Sequence, residues 1–463
     1  MKKRFLSVLV AAMMAATLFT GCGSKSNSDS SSNTSPTVTA APAANAGATQ
    51  APSTTDGSTD PQIKKTVKIL SIWAEDNDNG VLINNICKRY KEKVNPNFDF
   101  QYELVSADDL KMKISTLAAS NDLPDIFVYE SGAPLKELVD AGKVLDVGAE
   151  LTKLNLDSYM NPSAVSLLKN LSGTDTLYDL PLGLNVEGFW YNKELFDKAG
   201  VQPPTTWEEF ENVLAKLKDA GIQPLSCGAG DKWGATRLIN AYTVRLMGND
   251  AMTKAANGDT KYTDADYVKA AAKIQEWADK GYFGQGVTTV DMNTAGTMLC
   301  SGQAAIFYNG SWFTSNLNDS SYNKAGEDGI GFFNVPVVDP SVSDADSYSM
   351  NCGNILSFSK DKYDEGTSWF LKYFVSEIGN EAMTTQGSVK GYTYTADEGS
   401  MSGYTKLVLD KINSAKSAFT WYEAAMNSEV STVAQENVQT LINGDMTPDE
   451  YMQSIQDAYD ASK

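Results

Sequence analysis

Histidine is missing from the entire chain of 463 residues. Its absence removes Ser-His-Asp and Cys-His nucleophilic catalysis, imidazole acid–base chemistry and His-ligated zinc in one step. Any enzyme built from this chain must work with carboxylates, Lys, Tyr, Ser or Cys. Cysteine is scarce, at five residues, and Cys87, Cys227, Cys300 and Cys352 form no CxxC or metal-ligand spacing. Apolar neighbours such as Ile86 and Leu299 suit buried free thiols, with disulfides as the alternative. Positive charge is in deficit: 38 Lys and Arg stand against 58 Asp and Glu, a net charge of −20. That balance argues against nucleic acid and anionic membrane surfaces as partners, and disfavours a strongly anionic ligand.

A long apolar run is found only at the start. Lys2, Lys3 and Arg4 precede an apolar stretch over 5–19, too short for a comfortable membrane span. It ends in Leu18-Phe19-Thr20-Gly21-Cys22, which resembles a bacterial lipobox with Phe19 where Leu is usual. Residues 1–22 are expected to be a lipoprotein signal peptide ending in a lipidated Cys22, a plain secretory signal being the alternative. Residues 23–62 are mostly Ser, Thr, Ala, Asn, Gly and Pro, with almost no side chains large enough to pack. They are expected to form a disordered tether spanning about 35 Å root-mean-square. The lipid is the only membrane attachment expected.

The remainder is long enough for two or three packed domains. Residues 67–73 read as an apolar strand, and 74–80 as a polar loop. A helix follows with Val81, Leu82, Ile86 and Tyr90 on one side. Strands at 98–105 and 126–129 enclose a helix capped near Ser106, and another helix runs through Leu138 to Gly142. The pattern β-α-β-α-β-α predicts an α/β lobe with a mostly parallel sheet.

The middle of the chain is more sharply punctuated. A turn at 181–183 leads to a strand through 189–191, and a helix from Lys193 stops at Gly200. Pro203 and Pro204 break the chain, then Thr206 and Glu209 form a capping box ahead of Phe210, Val213, Leu214 and Leu217 at helical spacing. Beyond lie a strand at 224–227, a loop holding Trp233, helices through Leu246 and over 263–281, and a capped helix from near Thr294 to Gly302. Further strands are expected at 304–308, 330–335 and 355–358, and the rest reads as mainly helical, with Thr447 capping the last helix.

Pro181, Gly183, Tyr191-Asn192-Lys193, Leu195-Phe196, Lys198-Ala199-Gly200, Thr206-Trp207 and Glu209-Phe210 together resemble a family motif. It is the central segment of the family 1 sugar-binding, extracellular solute-binding proteins of bacterial ABC importers. Residues 301–312, SGQAAIFYNGSW, resemble a second motif of that family. The resemblance implies a two-lobed periplasmic-binding-protein-like α/β fold, each lobe a mostly parallel sheet flanked by helices, with the ligand cleft at the hinge. It places the first lobe at 63–178 plus 303–350 and the second at 179–302 plus 351–463. It further implies a monomer on the outer face of the cytoplasmic membrane, a carbohydrate ligand, an ABC permease as partner, no cofactor, no metal and no enzymatic step.

Ligands of open α/β sheets bind beyond the carboxyl ends of strands. The expected site residues are therefore Trp73, Glu75, Asp76, Glu130, Ser131, Asn309, Ser311 and Trp312 after strands, and Asn185 and Glu187 at the crossover. Asn351 and Asn354 flank a return crossing at Gly353, and Lys390 is a weaker candidate. Indole rings stack on the C–H face of a pyranose while amides and carboxylates take its hydroxyls. Trp233 and Trp421, at element ends or in loops, join Trp73 and Trp312 as candidate stacking rings; Trp190, Trp207, Trp277 and Trp369 fit core patterns. The bland alternatives are core tryptophans and a solvated acidic loop at Glu75, Asp76 and Asp78. Two functions compete with sugar capture: a carboxylate-based glycosidase or lyase, and a polyamine- or peptide-binding relative.

Overall fold

A computed structural model describes residues 60–395 and 401–463 of the protein. The expected signal peptide, Cys22 and nearly all of the expected tether lie outside these residues. No described helix is long and apolar enough to cross a membrane.

The apolar run after the tether forms β1 (Lys65–Ser71), flanked in parallel by β2 (Phe98–Leu104) and β3 (Ile126–Tyr129). Parallel neighbours need a crossover, and the helices Asp78–Lys93 and Ala107–Ala119 supply it. Ser106 caps the second by accepting from the Asp109 N–H. The first sheet has the order β2-β1-β3-β9, in which β9 (Ile355–Phe358) is antiparallel to β3.

The second sheet is built on β4 (Asn185–Asn192). The other strands are β5 (Gln223–Ser226), β6 (Ala304–Gly310), β7 (Ile330–Phe333), β8 (Ser347–Asn351) and β10 (Ser417–Phe419). Its order is β10-β8-β4-β6-β5, with β7 paired to the far end of β4. The outer pairs β5/β6 and β8/β10 are parallel, while β4 is antiparallel to β6, β7 and β8. Successive side chains of β4 enter different cores. Phe189 packs with Phe210 and Phe333 on one face, and Trp190 with Phe313 and Phe332 on the other. One apolar cluster embraces the first sheet and continues onto the Trp190 face; a second fills the Phe189 face.

The punctuation of the middle segment is realised as expected. Asn192 caps the helix Lys193–Ala199, Gly200 closes it in the left-handed region, and Thr206 with Glu209 makes the capping box of Trp207–Asp219. Trp190, Trp207 and Trp277 are buried, but Trp369 is only half-buried, with the Lys372 ammonium over its ring. All four described cysteines are buried free thiols.

The expected allocation of segments between lobes needs correction. β6, expected in the first lobe, lies between β4 and β5 in the second sheet, and β9, expected in the second, pairs with β3 in the first. Helix Glu365–Gln386, also expected in the second lobe, buries Phe370, Leu371 and Phe374 in the cluster of the first sheet. The ladder decides this, because both edges of β6 find their hydrogen-bond partners in the second sheet. The strands β8 and β10 were not expected; Ser-Tyr-Ser-Met-Asn and Ser-Ala-Phe are too short and too polar to carry a strand period alone.

The chain first crosses between the sheets over 180–184 and returns over 352–354, and the two crossings lie side by side. Leu180 and Leu356 exchange backbone hydrogen bonds of 2.9 Å, and the Leu182 N–H donates to the Cys352 carbonyl. Gly353, at φ +71°, adopts a left-handed conformation that most residues would resist. Asp179 enters the first crossing almost fully buried, and its carboxyl oxygens meet no hydrogen-bonding group of another described residue. Burial pushes its acid up to about 8. Cys352 and Tyr392 are pushed well above their ordinary values by burial, with further contributions that include the Asp179 charge. The folded-state value of Asp179 lies above the unfolded one, so folding favours the proton. This contribution to stability is complete below about pH 4 and is lost as pH rises to about 8. Asp179→Asn is expected to leave stability nearly unchanged at about pH 4 and to raise it by on the order of 5 kcal/mol at about pH 8. Thermal unfolding across that range checks both the sign and the window.

Candidate functional site

The ends of both sheets converge on a cavity of about 310 Å³ beside the crossings, within the usual range for small-molecule sites. From the first sheet come Trp73, just after β1, and Glu130, just after β3. The Trp73 backbone is fixed on both sides, its N–H donating to Ser71 Oγ and its carbonyl accepting from the Tyr102 hydroxyl. Glu130 pairs with Lys111 Nζ at 3.0 Å.

The second sheet supplies the polar floor. Asn185 opens β4 and Asn351 ends β8, and the two stand opposite each other in register. Ser311 Oγ donates to Asn185 Oδ1 at 3.2 Å, Asn185 Nδ2 to Asn351 Oδ1 at 3.1 Å, and Asn351 Nδ2 to Glu187 Oε1 at 2.5 Å. Arg237 continues the series: its Nε–H donates to Glu187 Oε2 at 3.1 Å and its Nη1 to Glu423 Oε2 at 2.6 Å. Glu423 Oε1 also accepts from the Thr236 hydroxyl. Each member is thus committed as donor or acceptor to its neighbour, which leaves the floor little freedom to rearrange. Burial alone would lower the Arg237 value, but the charges of Glu187 and Glu423 outweigh it and hold the guanidinium above its ordinary range.

The walls are aromatic. Trp312 lies across Gly310, where a Cβ would fall 2.0 Å from the indole Cζ3, so the glycine of this motif is what lets the ring cross the strand. Trp233 opens the helix Trp233–Met247, its ring centroid 6.2 Å from that of Trp312. Trp421 follows β10, and the Arg237 guanidinium sits over the rings of both Trp233, at 5.4 Å, and Trp421, at 5.7 Å. Lys390, buried at one side, has its ammonium 3.8 Å from Asp78 Oδ1; burial lowers its value and Asp78 partly restores it.

Eight of the fourteen expected site residues line this cavity: Trp73, Glu130, Asn185, Trp233, Trp312, Asn351, Asn354 and Trp421. Six do not. Glu187 is wholly buried beneath the floor, where it pairs with Arg237, so the expectation of an open crossover carboxylate is corrected. Ser131 and Ser311 are buried and do not line it, although Ser311 reaches the floor through its hydrogen bond to Asn185. Glu75 is exposed in its loop. Asp76 and Asn309 line a wider adjoining groove of about 1100 Å³, which shares Trp73, Asp78 and Trp312 with the cavity. The sequence reading missed Asn79, Asp231, Arg237, Glu423 and Gln435. It placed Trp233 in a loop; read as a helix start, Trp233 would have put Arg237 one turn along on the same face. No group of described residues is arranged to hold a metal ion.

Residues 73–381 match the model of the family described as bacterial extracellular solute-binding protein. An uncharacterized ABC transporter extracellular-binding protein of Pyrococcus horikoshii is 24% identical over 262 residues, 55% of this chain and 58% of that protein. A multiple sugar-binding protein of Streptococcus mutans is 23% identical over 231 residues, 48% of this chain and 52% of that protein. The chain therefore spans about half the length of the curated relatives it matches. Among solved structures, a chitin oligosaccharide binding protein superposes with a TM-score of 0.76 at 26% identity, covering 86% of this chain and 98% of that one. A sugar transporter of Bacillus licheniformis in complex with stachyose shares the fold, with a TM-score of 0.69, 18% identity and coverage of 86% and 100%.

Glu187→Ala leaves the Arg237 charge without its partner in β4 and frees Asn351 Nδ2 inside the protein. A loss of about 3–5 kcal/mol in unfolding free energy is expected. Glu187→Gln, which keeps the shape, is expected to cost less; chemical denaturation measures both.

Proposed function

The chain belongs to the bacterial extracellular solute-binding protein family, and from that premise we propose that it captures a neutral oligosaccharide outside the cell and delivers it to an ABC permease. The observation that carries the reading is the cavity itself: Trp73, Trp233, Trp312 and Trp421 present indoles around a rim of amides and carboxylates. Flat apolar faces beside fixed hydrogen-bonding groups match the two surfaces of a pyranose. The wider groove beyond Trp73 and Trp312 gives further sugar units a path outward, which favours an oligomer over a single ring. The likeness to a chitin oligosaccharide binding protein and to a multiple sugar-binding protein supports the same class.

Closure of the two sheets around the ligand is the proposed mechanism. The Ala133 N–H donates to the Ala424 carbonyl, Ser428 donates to Glu137, and Lys111 Nζ donates to Ser431 Oγ, so the sides already touch along one rim. A ligand shifts the balance toward this arrangement only by binding it more tightly than the open one. The carboxylates around the cavity are engaged, Glu130 by Lys111, Glu423 by Arg237 and Asp78 by Lys390. That suits acceptors for hydroxyls better than a free acid and base, and capture is read as leaving the sugar unchanged. Held by a lipid on Cys22, a monomer of this kind would stay near its permease on the outer face of the membrane.

Thermal unfolding against chitin, xylan, raffinose-family and β-glucan oligosaccharides tests the reading. At about a hundred times Kd, a bound sugar is expected to add about 2.7 kcal/mol to stability, with no cleavage product in the same sample. Trp233→Ala and Trp312→Ala are each expected to weaken binding at least about tenfold. Release of shorter sugars, or stabilisation by polyamines and not by any saccharide, would overturn it.

A further inference from the structure

Arg237 is set apart from the other cations of the site by the number of things that hold it. Its side chain is 11% exposed, and it has a buried carboxylate on each of two edges: Glu187 at Nε and Glu423 at Nη1. These two acids are 0% and 2% exposed, so the ion triplet is shielded from water. The guanidinium also lies over Trp233, one turn back on its own helix, and over Trp421, in the segment after β10. Three elements far apart in sequence therefore meet at one planar group.

The geometry points to Arg237 as the positioning residue of the sugar site: it sets the placement of the Trp233 and Trp421 indoles relative to each other, and thereby the affinity for a stacked ring. This rests on the reading of the cavity as a saccharide site. The physical reason is that a guanidinium is flat, weakly hydrated and able to stack, while its edges carry donors in a fixed fork. With Nε and Nη1 both anchored, the plane cannot rotate about the side-chain axis. An indole whose ring centroid lies 5.4 or 5.7 Å from that anchored cation is drawn to it through its π face and is restrained by it. Lys carries the same charge but has neither the plane nor the fork, so it can neutralise Glu187 or Glu423 without aligning either ring. Arg237 acts through the tryptophans, and the inference requires no contact between the guanidinium and the sugar.

The test uses the whole folded protein and two readouts. Near-ultraviolet circular dichroism of the ligand-free protein reports the fixed asymmetry of the indoles, and titration with chitotetraose followed by tryptophan fluorescence reports affinity. Arg237→Lys is expected to unfold cooperatively, to lose part of the tryptophan dichroism and to bind about tenfold or more weakly. Because the single variant risks misfolding around an unpaired buried acid, the charge-neutral combination Glu187→Gln, Arg237→Met and Glu423→Gln serves as a second variant. It is expected to fold and to show the same two losses. Trp421→Phe should weaken binding in the wild type but add little on top of Arg237→Lys, since both act on one contact. Unchanged dichroism and affinity in both arginine variants would overturn the assignment, as would strictly additive effects of Arg237→Lys and Trp421→Phe. If chitotetraose fails to bind even the wild type, that ligand is excluded, and the dichroism of the two arginine variants alone decides whether Arg237 places the rings.

Discussion

Two carboxylates and one guanidinium, held out of water beneath the cavity between the sheets, are the constraint on which the rest of the structure turns. Removing such charges from solvent costs several kcal/mol each, and mutual attraction offsets that cost only when geometry is good and the remaining donors and acceptors are met. Here Glu187 comes from β4, Arg237 from the helix that follows β5, and Glu423 from the segment after β10. Arg237 without the two carboxylates, or either carboxylate without Arg237, would be an uncompensated buried charge. The site is therefore tied to the completed tertiary fold, and folding and preorganisation of the cavity become one event.

The same network fixes the floor of the cavity. Donors and acceptors alternate from Ser311 through Asn185 and Asn351 to Glu187, which leaves each group little freedom to turn. At and beneath the cavity Glu130 pairs with Lys111, Glu187 and Glu423 share Arg237, and Asp78 lies beside Lys390.

The paired crossings give the fold its two-sidedness. Reciprocal hydrogen bonds between Leu180 and Leu356 join the outgoing and returning chain, and Gly353 supplies the one backbone conformation there that a side chain would resist. Buried beside them, Asp179 has no partner from another described residue, an uncommon expense for a structural acid. Such orphaned groups concentrate where a protein trades stability for another property, and a hinge is a natural place to find one.

Local physics was legible in the sequence. The capping box at Thr206 and Glu209, the stop at Gly200, the period of the helix that begins at Asp78 and the apolar run of β1 all follow from interactions within a few residues, and all are present. The rule that ligands gather beyond strand ends pointed to Trp73, Glu130 and Trp312, which line the cavity. What the sequence by itself determined, then, were the elements, the two motifs and the aromatic character of the site. Only the tertiary structure decided that β6 and β9 belong to the sheets they join, that Glu187 faces inward to Arg237, and that Trp421 shares a cation with Trp233. Those outcomes depend on partners up to 232 residues apart, as Ile126 and Phe358 are, and neither hydrogen-bond pairing between strands nor the pairing of buried charges leaves a mark on the residues next to it in the chain.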